Sequence, residues 1–210
     1  MSKSNEVYDF IVDRLVNAHY RFGDRMLVKE LSTETGASRQ PIMSALNRLS
    51  VEGFVSIVPQ VGCEVISPSQ DEIADFFHLF QLIEGLLAEL AANRRTERDI
   101  ERLQTAQRRI NVLLESENPS VREYVRLNRD FHCALHLMSH SPLLERKQRN
   151  NFNMADFFIS HSVGFGAIMT EAVREHDRII EAVVKQDPNR ARLEAESHFA
   201  SIAGSVLSSL

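Results

Sequence analysis

Apolar and polar residues follow two different periods along this chain, and the change of period marks its organisation. Near the N-terminus three stretches repeat apolar residues every three to four positions, which predicts three short helices. "FVSIV" and "CEVIS" then alternate with a period of two around the turn-forming "PQVG", so a small β-hairpin is expected there. After "SPSQDE", which combines proline, serine and an N-cap signal, helical periodicity runs almost to the end. It is broken near "RRTER", "SENPS", "SHSP", "SVGFG" and "KQDPN". The pattern predicts a mainly α protein in two domains. Residues 1–69 hold three helices plus a β-hairpin, and residues 70–210 hold an antiparallel bundle of about six helices. Such bundles commonly build ligand and metal sites between facing helices.

The segment "VKELSTETGASRQPIMSALNRLSVEGFV" refines the first domain. A helix through Val28, Leu31 and Thr35 stops at Gly36, which supplies a sharp turn, and Ser38 is placed to cap the next helix through its hydroxyl. Pro41 falls in that helix's first turn, where a missing N–H costs little. Ile42, Ala45, Leu46 and Leu49 form its inward stripe, while Arg39, Gln40, Met43, Ser44 and Asn47 face outward. Two helices joined by a glycine turn are a helix-turn-helix, and the hairpin after them is a candidate wing.

Charge changes the picture only locally. A net charge of −5 over 210 residues argues against indiscriminate nucleic-acid binding, so a DNA reader would have to concentrate its basic residues. Ala37 to Val51 does so, with Arg39 and Arg48 and no acid. A hydrophobic content of 43% and a charged content of 25% describe an ordinary soluble protein. No apolar run approaches the roughly 18 residues of a membrane span. "MSKSNEVYDF" lacks the apolar core of a secretory signal. Two cysteines, Cys63 and Cys133, provide neither a disulfide framework nor metal-ligand spacing, so a cytoplasmic location is expected.

The second domain carries the candidate chemistry. In "LNRDFHCALH" Asn128 and His132 share one helix face with Val125 and Leu135, Asp130 points elsewhere, and His136 lies one turn further along. His176 aligns with Val173, Ile180 and Val183, and His198 with Ala191, Ala195 and Ile202. Three helices each turn a histidine inward. Either they are hydrogen-bonded core residues, or with Asn128 they form a metal site; the second is the better hypothesis. Zinc, nickel or manganese would suit such N/O ligands. His78 lies off its helix's apolar stripe, and His19, His140 and His161 lie near helix ends or loops without an expected role.

Both halves resemble a known family. "SRQPIMSALNRLSVEGFV", with "VYDFIVDRLVNAHYRFGDRM" before it, is similar to the DNA-reading domain of GntR-type transcription regulators. "NRDFHCALH", "EHDRIIEAV", "SHFASI" and "FQLIEGLLAELAA" resemble the helical FCD effector domain of the FadR subgroup. The resemblance implies DNA contacts at Lys29, Arg39, Gln60 and Gly62, to which the outward and basic positions add Gln40, Ser44 and Arg48. It implies a divalent metal held by Asn128, His132, His176 and His198, and small carboxylates as effectors. Three positions depart from the family pattern. Met43 stands where an arginine is usual and removes one DNA contact, and Asn128 replaces the commoner aspartate and leaves a bound ion more net positive charge. Gln81 replaces an arginine that would clamp a carboxylate bidentately. Gln81 and Glu84 are weaker effector-pocket candidates; Glu84 either orients a neighbouring group or is a helix-surface acid.

The expected function is a ligand-responsive regulator, a repressor by the family's common mode. It would act as a homodimer on a palindromic operator, with dimer contacts around "FFHLF" or "DFFIS", and it is not expected to be an enzyme. The alternatives are a metal-dependent enzyme using the Asn/His3 site, or a DNA-binding dimer with a vestigial pocket.

Overall fold

The computed structural model describes residues 2–58 and 62–210. Contacts divide the chain into two units. The first comprises the residues up to Gln70 together with Phe152–His161, and the second comprises Asp71–Asn151 with Ser162–Leu210.

The first unit contains helices α1 (Lys3–Val16), α2 (Val28–Thr35) and α3 (Arg39–Val51), and strands β1 (Arg25–Met26), β2 (Val55–Val58) and β3 (Gly62–Val65). Its core is the expected stripe, with Ile42, Ala45, Leu46 and Leu49 of α3 joined by Ile11, Leu15, Leu31 and Phe54, all buried. Gly36 ends α2 with φ +63°, a left-handed conformation that an L side chain adopts only with strain. The hairpin forms as β2 antiparallel to β3, with Val58 opposite Gly62. β1, too short to show any period, adds a third strand in the order β1-β3-β2. The expected "PQVG" turn has Pro59, Gln60 and Val61 outside the described residues.

Two expectations change here. Ser38 occupies the N-cap of α3, but its hydroxyl makes no capping bond. The "DFFIS" segment is not an exposed dimer face. Asp156, Phe157, Phe158 and Ile159 are buried, with Phe157 edge-on to Phe22 and Phe54 at 5.3 and 5.8 Å between ring centres. Three adjacent large apolar residues have that fate when another surface of the chain can cover them.

The second unit is built on helices α4 (Gln70–Arg94), α5 (Glu97–Leu114), α6 (Val121–Met138), α7 (Pro142–Ser160, whose last turns belong to the first unit), α8 (Phe165–Val184) and α9 (Pro188–Ser208). Their starts follow local chemistry. Thr96 and Asp99 form a capping box on α5, Ser120 caps α6, and Asp187 caps α9 with Pro188 at its first position. Phe77, Phe80, Leu87, Leu103, Ile110, Phe131, Leu135, Ile179 and Val206 fill the centre. At Gly85 an added Cβ would meet the Glu196 side chain at 2.5 Å, so α4 and α9 approach closely beside Glu84. No helix among the described residues is long and apolar enough to cross a membrane.

Candidate functional site

Helices α6, α8 and α9 bring His132, His176 and His198 into one buried cluster. One nitrogen from each lies within 4.8 Å of the other two. The three rings are 0–1% exposed, which is unusual for so polar a set and demands compensation. His176 stacks on Phe131 at 3.9 Å, and Phe199 flanks His132 and His198, so the walls are apolar.

Each outer nitrogen identifies its tautomer. His176 Nδ1 is 3.2 Å from Gln107 Oε1, which can only accept, so Nδ1 carries the proton. Gln107 is itself oriented, because its Nε2 donates to Val173 O and Asp177 Oδ1. His198 Nδ1 donates to Glu175 Oε2 at 2.7 Å by the same reasoning. In the neutral form of either ring Nε2 is then the nitrogen with a free lone pair, and the Nε2 atoms of His176 and His198 are both buried without a protein hydrogen-bond partner among the described residues. A proton held on Nδ1 by an amide or carboxylate, with Nε2 aimed at its neighbours, is the usual dress of a metal-ligating histidine. The residues present fit a divalent ion.

Asn128 sits one turn before His132, half-buried, and its Oδ1 accepts from the Tyr124 hydroxyl at 3.3 Å. That bond fixes the amide and leaves a second lone pair on the oxygen. Glu84 is fully buried, which overturns its reading as a surface acid. It accepts from His136 Nε2 at 2.9 Å and from Gln148 Nε2 at 2.7 Å, and it lies 3.9 Å from His132 Nδ1. Gln81 is half-buried one turn earlier on α4, and His78 is exposed as expected. Sequence reasoning missed Gln107, Glu175, Tyr124 and Gln148. Tyr124, one turn before Asn128 on the same face of α6, and Glu175, adjacent to His176, carried a signal in proximity, whereas Gln107 and Gln148 lie far along the chain from His176 and Glu84, which they meet.

Burial, and after it the neighbouring imidazoles, holds His132 and His176 well below the usual histidine value of 6.5. The unfolded chain takes up protons on both as pH falls through 6.5, and the folded chain resists. Their contribution to stability is therefore present above about pH 6.5 and lost as pH falls toward their folded values. Metal-free protein should keep a level melting temperature above about pH 7 and lose on the order of 1 kcal/mol per histidine per pH unit below 6.5. A pH series of thermal melts, compared with His176→Gln, checks this; identical slopes in the two proteins would contradict it.

In the first unit Arg39, Gln40, Ser44 and Asn47 are exposed along one side of α3, Met43 is half-buried, and Lys29 is exposed on the first turn of α2. Arg48 differs. Its guanidinium lies 3.5 Å over the Tyr8 ring and its Nε donates to Glu52 at 2.9 Å. The acid-free stretch thus ends just before an acid that offsets one of its two arginines. Burial and the Glu52 carboxylate push the Tyr8 hydroxyl well above its ordinary value, so it remains a donor to Glu52. Gly62 opens β3, and Gln60 lies outside the described residues.

Two family models match this chain. The FCD domain covers residues 75–201, and "Bacterial regulatory proteins, gntR family" covers residues 3–65. Among curated relatives, the Nta operon transcriptional regulator of Aminobacter aminovorans is 30% identical over 57% of this chain and 56% of its own length. The HTH-type transcriptional repressor RspR of Escherichia coli is 24% identical over 97% of this chain and 88% of its own. Among solved structures, E. coli McbR/YncC superposes with a TM-score of 0.82 at 18% identity, covering 99% of this chain and 98% of that one, a likeness of fold.

Proposed function

Because the chain belongs to the GntR family of bacterial regulators and carries that family's FCD domain, we propose that it is an operator-binding repressor that senses a small carboxylate through a divalent metal in its helical unit. That it is a transcriptional regulator and not an enzyme follows from the family. The sensing chemistry rests on one observation: the Nε2 atoms of His176 and His198 are buried without a protein hydrogen-bond partner among the described residues, in a cluster where one nitrogen from each ring lies within 4.8 Å of one from His132. Asn128, His132, His176 and His198 would hold the ion. All four are neutral ligands, so the bound ion would supply a Lewis-acidic centre with positions left for an anionic oxygen. The buried carboxylate of Glu84 disfavours direct contact with an acid effector, so Asn128 and Gln81 mark the side from which one would approach.

On the DNA side, Arg39 and Gln40 at the start of α3 are the proposed base readers, with Ser44 beside them and Lys29 on a phosphate. The uncapped N-terminus of α3, with no acid in its first turn, leaves backbone N–H groups for a phosphate. Gln60 and Gly62 are the proposed wing contacts. Arg48, a DNA-contact candidate by its basic position, is assigned instead to holding α3 against α1 through Tyr8 and Glu52. A homodimer is proposed through α4, where Leu79, Leu82 and Leu86 leave 56, 41 and 36% of their surface exposed on one side of the helix. Acting on operator DNA places the protein in the cytoplasm.

Selection of the full-length protein against a randomised duplex library tests the proposal. Enrichment of an inverted repeat with half-sites about one turn apart is expected, followed by release when small hydroxy or sugar acids are added together with metal. Enriched sequences without twofold symmetry would remove the dimer reading. Acids that change neither DNA retention nor melting temperature, with metal present, would favour a vestigial pocket.

A further inference from the structure

Two buried carboxylates beside the histidines lie outside the proposed ligand set. Glu84 is 0% exposed and Glu175 is 5% exposed. Glu175 Oε2 is 2.7 Å from His198 Nδ1, and Glu84 Oε2 is 3.9 Å from His132 Nδ1 and 2.9 Å from His136 Nε2. Arg178 reaches Glu175 only at 3.5 Å and makes its shorter contact, 3.1 Å, to Glu194. Glu84 is held from its other side by Gln148 at 2.7 Å, a bond that directs Oε2 toward the two histidines.

A divalent ion among four neutral ligands would bring two uncompensated positive charges into the interior, where loss of hydration disfavours unbalanced charge. We propose that Glu84 and Glu175 are positioning residues for this centre. From behind His132 and His198 they supply the negative charge that a carboxylate in place of Asn128 would have supplied directly, and Glu175, hydrogen-bonded to Nδ1, fixes the His198 ring with Nε2 inward. This rests on the metal reading above. It adds that the departure at Asn128 does not leave the site strongly cationic, so selectivity for an acid effector comes from open coordination positions and not from bulk charge.

The test is metal affinity of the full chain, read by zinc competition against a chromophoric chelator. Glu84→Gln and Glu175→Gln keep shape and remove charge. Each is expected to weaken zinc binding about 10–100-fold, and adding Asn128→Asp to either is expected to restore affinity to near the parent value. Circular dichroism of the metal-free variants checks folding; should Glu84→Gln fail to fold, Glu175→Gln carries the test alone. Unchanged affinity in the folded glutamine variants, or weakened affinity that Asn128→Asp does not restore, would overturn the proposal. A parent protein that takes up no metal in the same assay would instead remove the metal reading beneath it.

Discussion

Untagged protein purified without chelator is expected to carry about one equivalent of divalent metal per chain, and the His132→Ala/His176→Ala double variant none. The expectation follows from the cost of the alternative. Each buried Nε2 of His176 and His198 that finds no partner costs about 1–3 kcal/mol, and such orphans are rare in native interiors. An ion present at 1,000 times its dissociation constant would stabilise the fold by about 4 kcal/mol. For a chain of this size that corresponds to a melting temperature higher by on the order of 10 °C. Chelator should lower the melting temperature of the parent by that amount and leave the double variant unmoved. Elemental analysis read together with the melts decides the matter. No metal after reconstitution with zinc, nickel and manganese would return the three histidines to the core and leave the effector class open.

Arg39→Ala should weaken operator binding by about 10–100-fold per half-site, the loss of one arginine contact worth about 1–3 kcal/mol in each subunit, and should relax the sequence preference at one position of each half-site. Arg39 is the first residue of α3 and is exposed, whereas Arg48, at the other end of the same helix, is engaged by Tyr8 and Glu52. The two arginines should therefore separate cleanly. Arg48→Ala is expected to lower stability by about 1 kcal/mol, through the lost cation–π and ion-pair contacts, while folded protein keeps its operator affinity. Lys29→Ala should weaken binding evenly across sequences and reduce the salt dependence by about one phosphate per subunit. Fluorescence anisotropy with matched and mutated operators, at two salt concentrations, measures all three. Equal losses for Arg39→Ala and Arg48→Ala would refute the assignment of roles.

The division between sequence and tertiary structure is clearest at the candidate metal centre. Period alone placed His132, His176 and His198 on the buried stripes of three helices, because a 3.6-residue repeat states which face of a helix is covered. It also placed Arg39 and Gln40 on the open side of α3 and the apolar stripe of α3 in the core, while the left-handed preference of glycine placed Gly36 at the end of α2. Period does not state which residue of a neighbouring helix lies opposite. Gln107 meets His176 across 69 positions, Glu84 meets His136 across 52, and Gln148 meets Glu84 across 64. Those pairings depend on how each helix is rotated and shifted against the next, which many packed side chains settle together. The same reason turned Glu84 from an ambiguous acid into a buried one, drew Arg48 onto Tyr8, and covered "DFFIS". The sequence by itself determined the helices, the winged-helix unit, the family and the inward histidines. Only the packing of helix on helix decided which charges stand behind those histidines, because that is a relation between elements and not a property of any one of them.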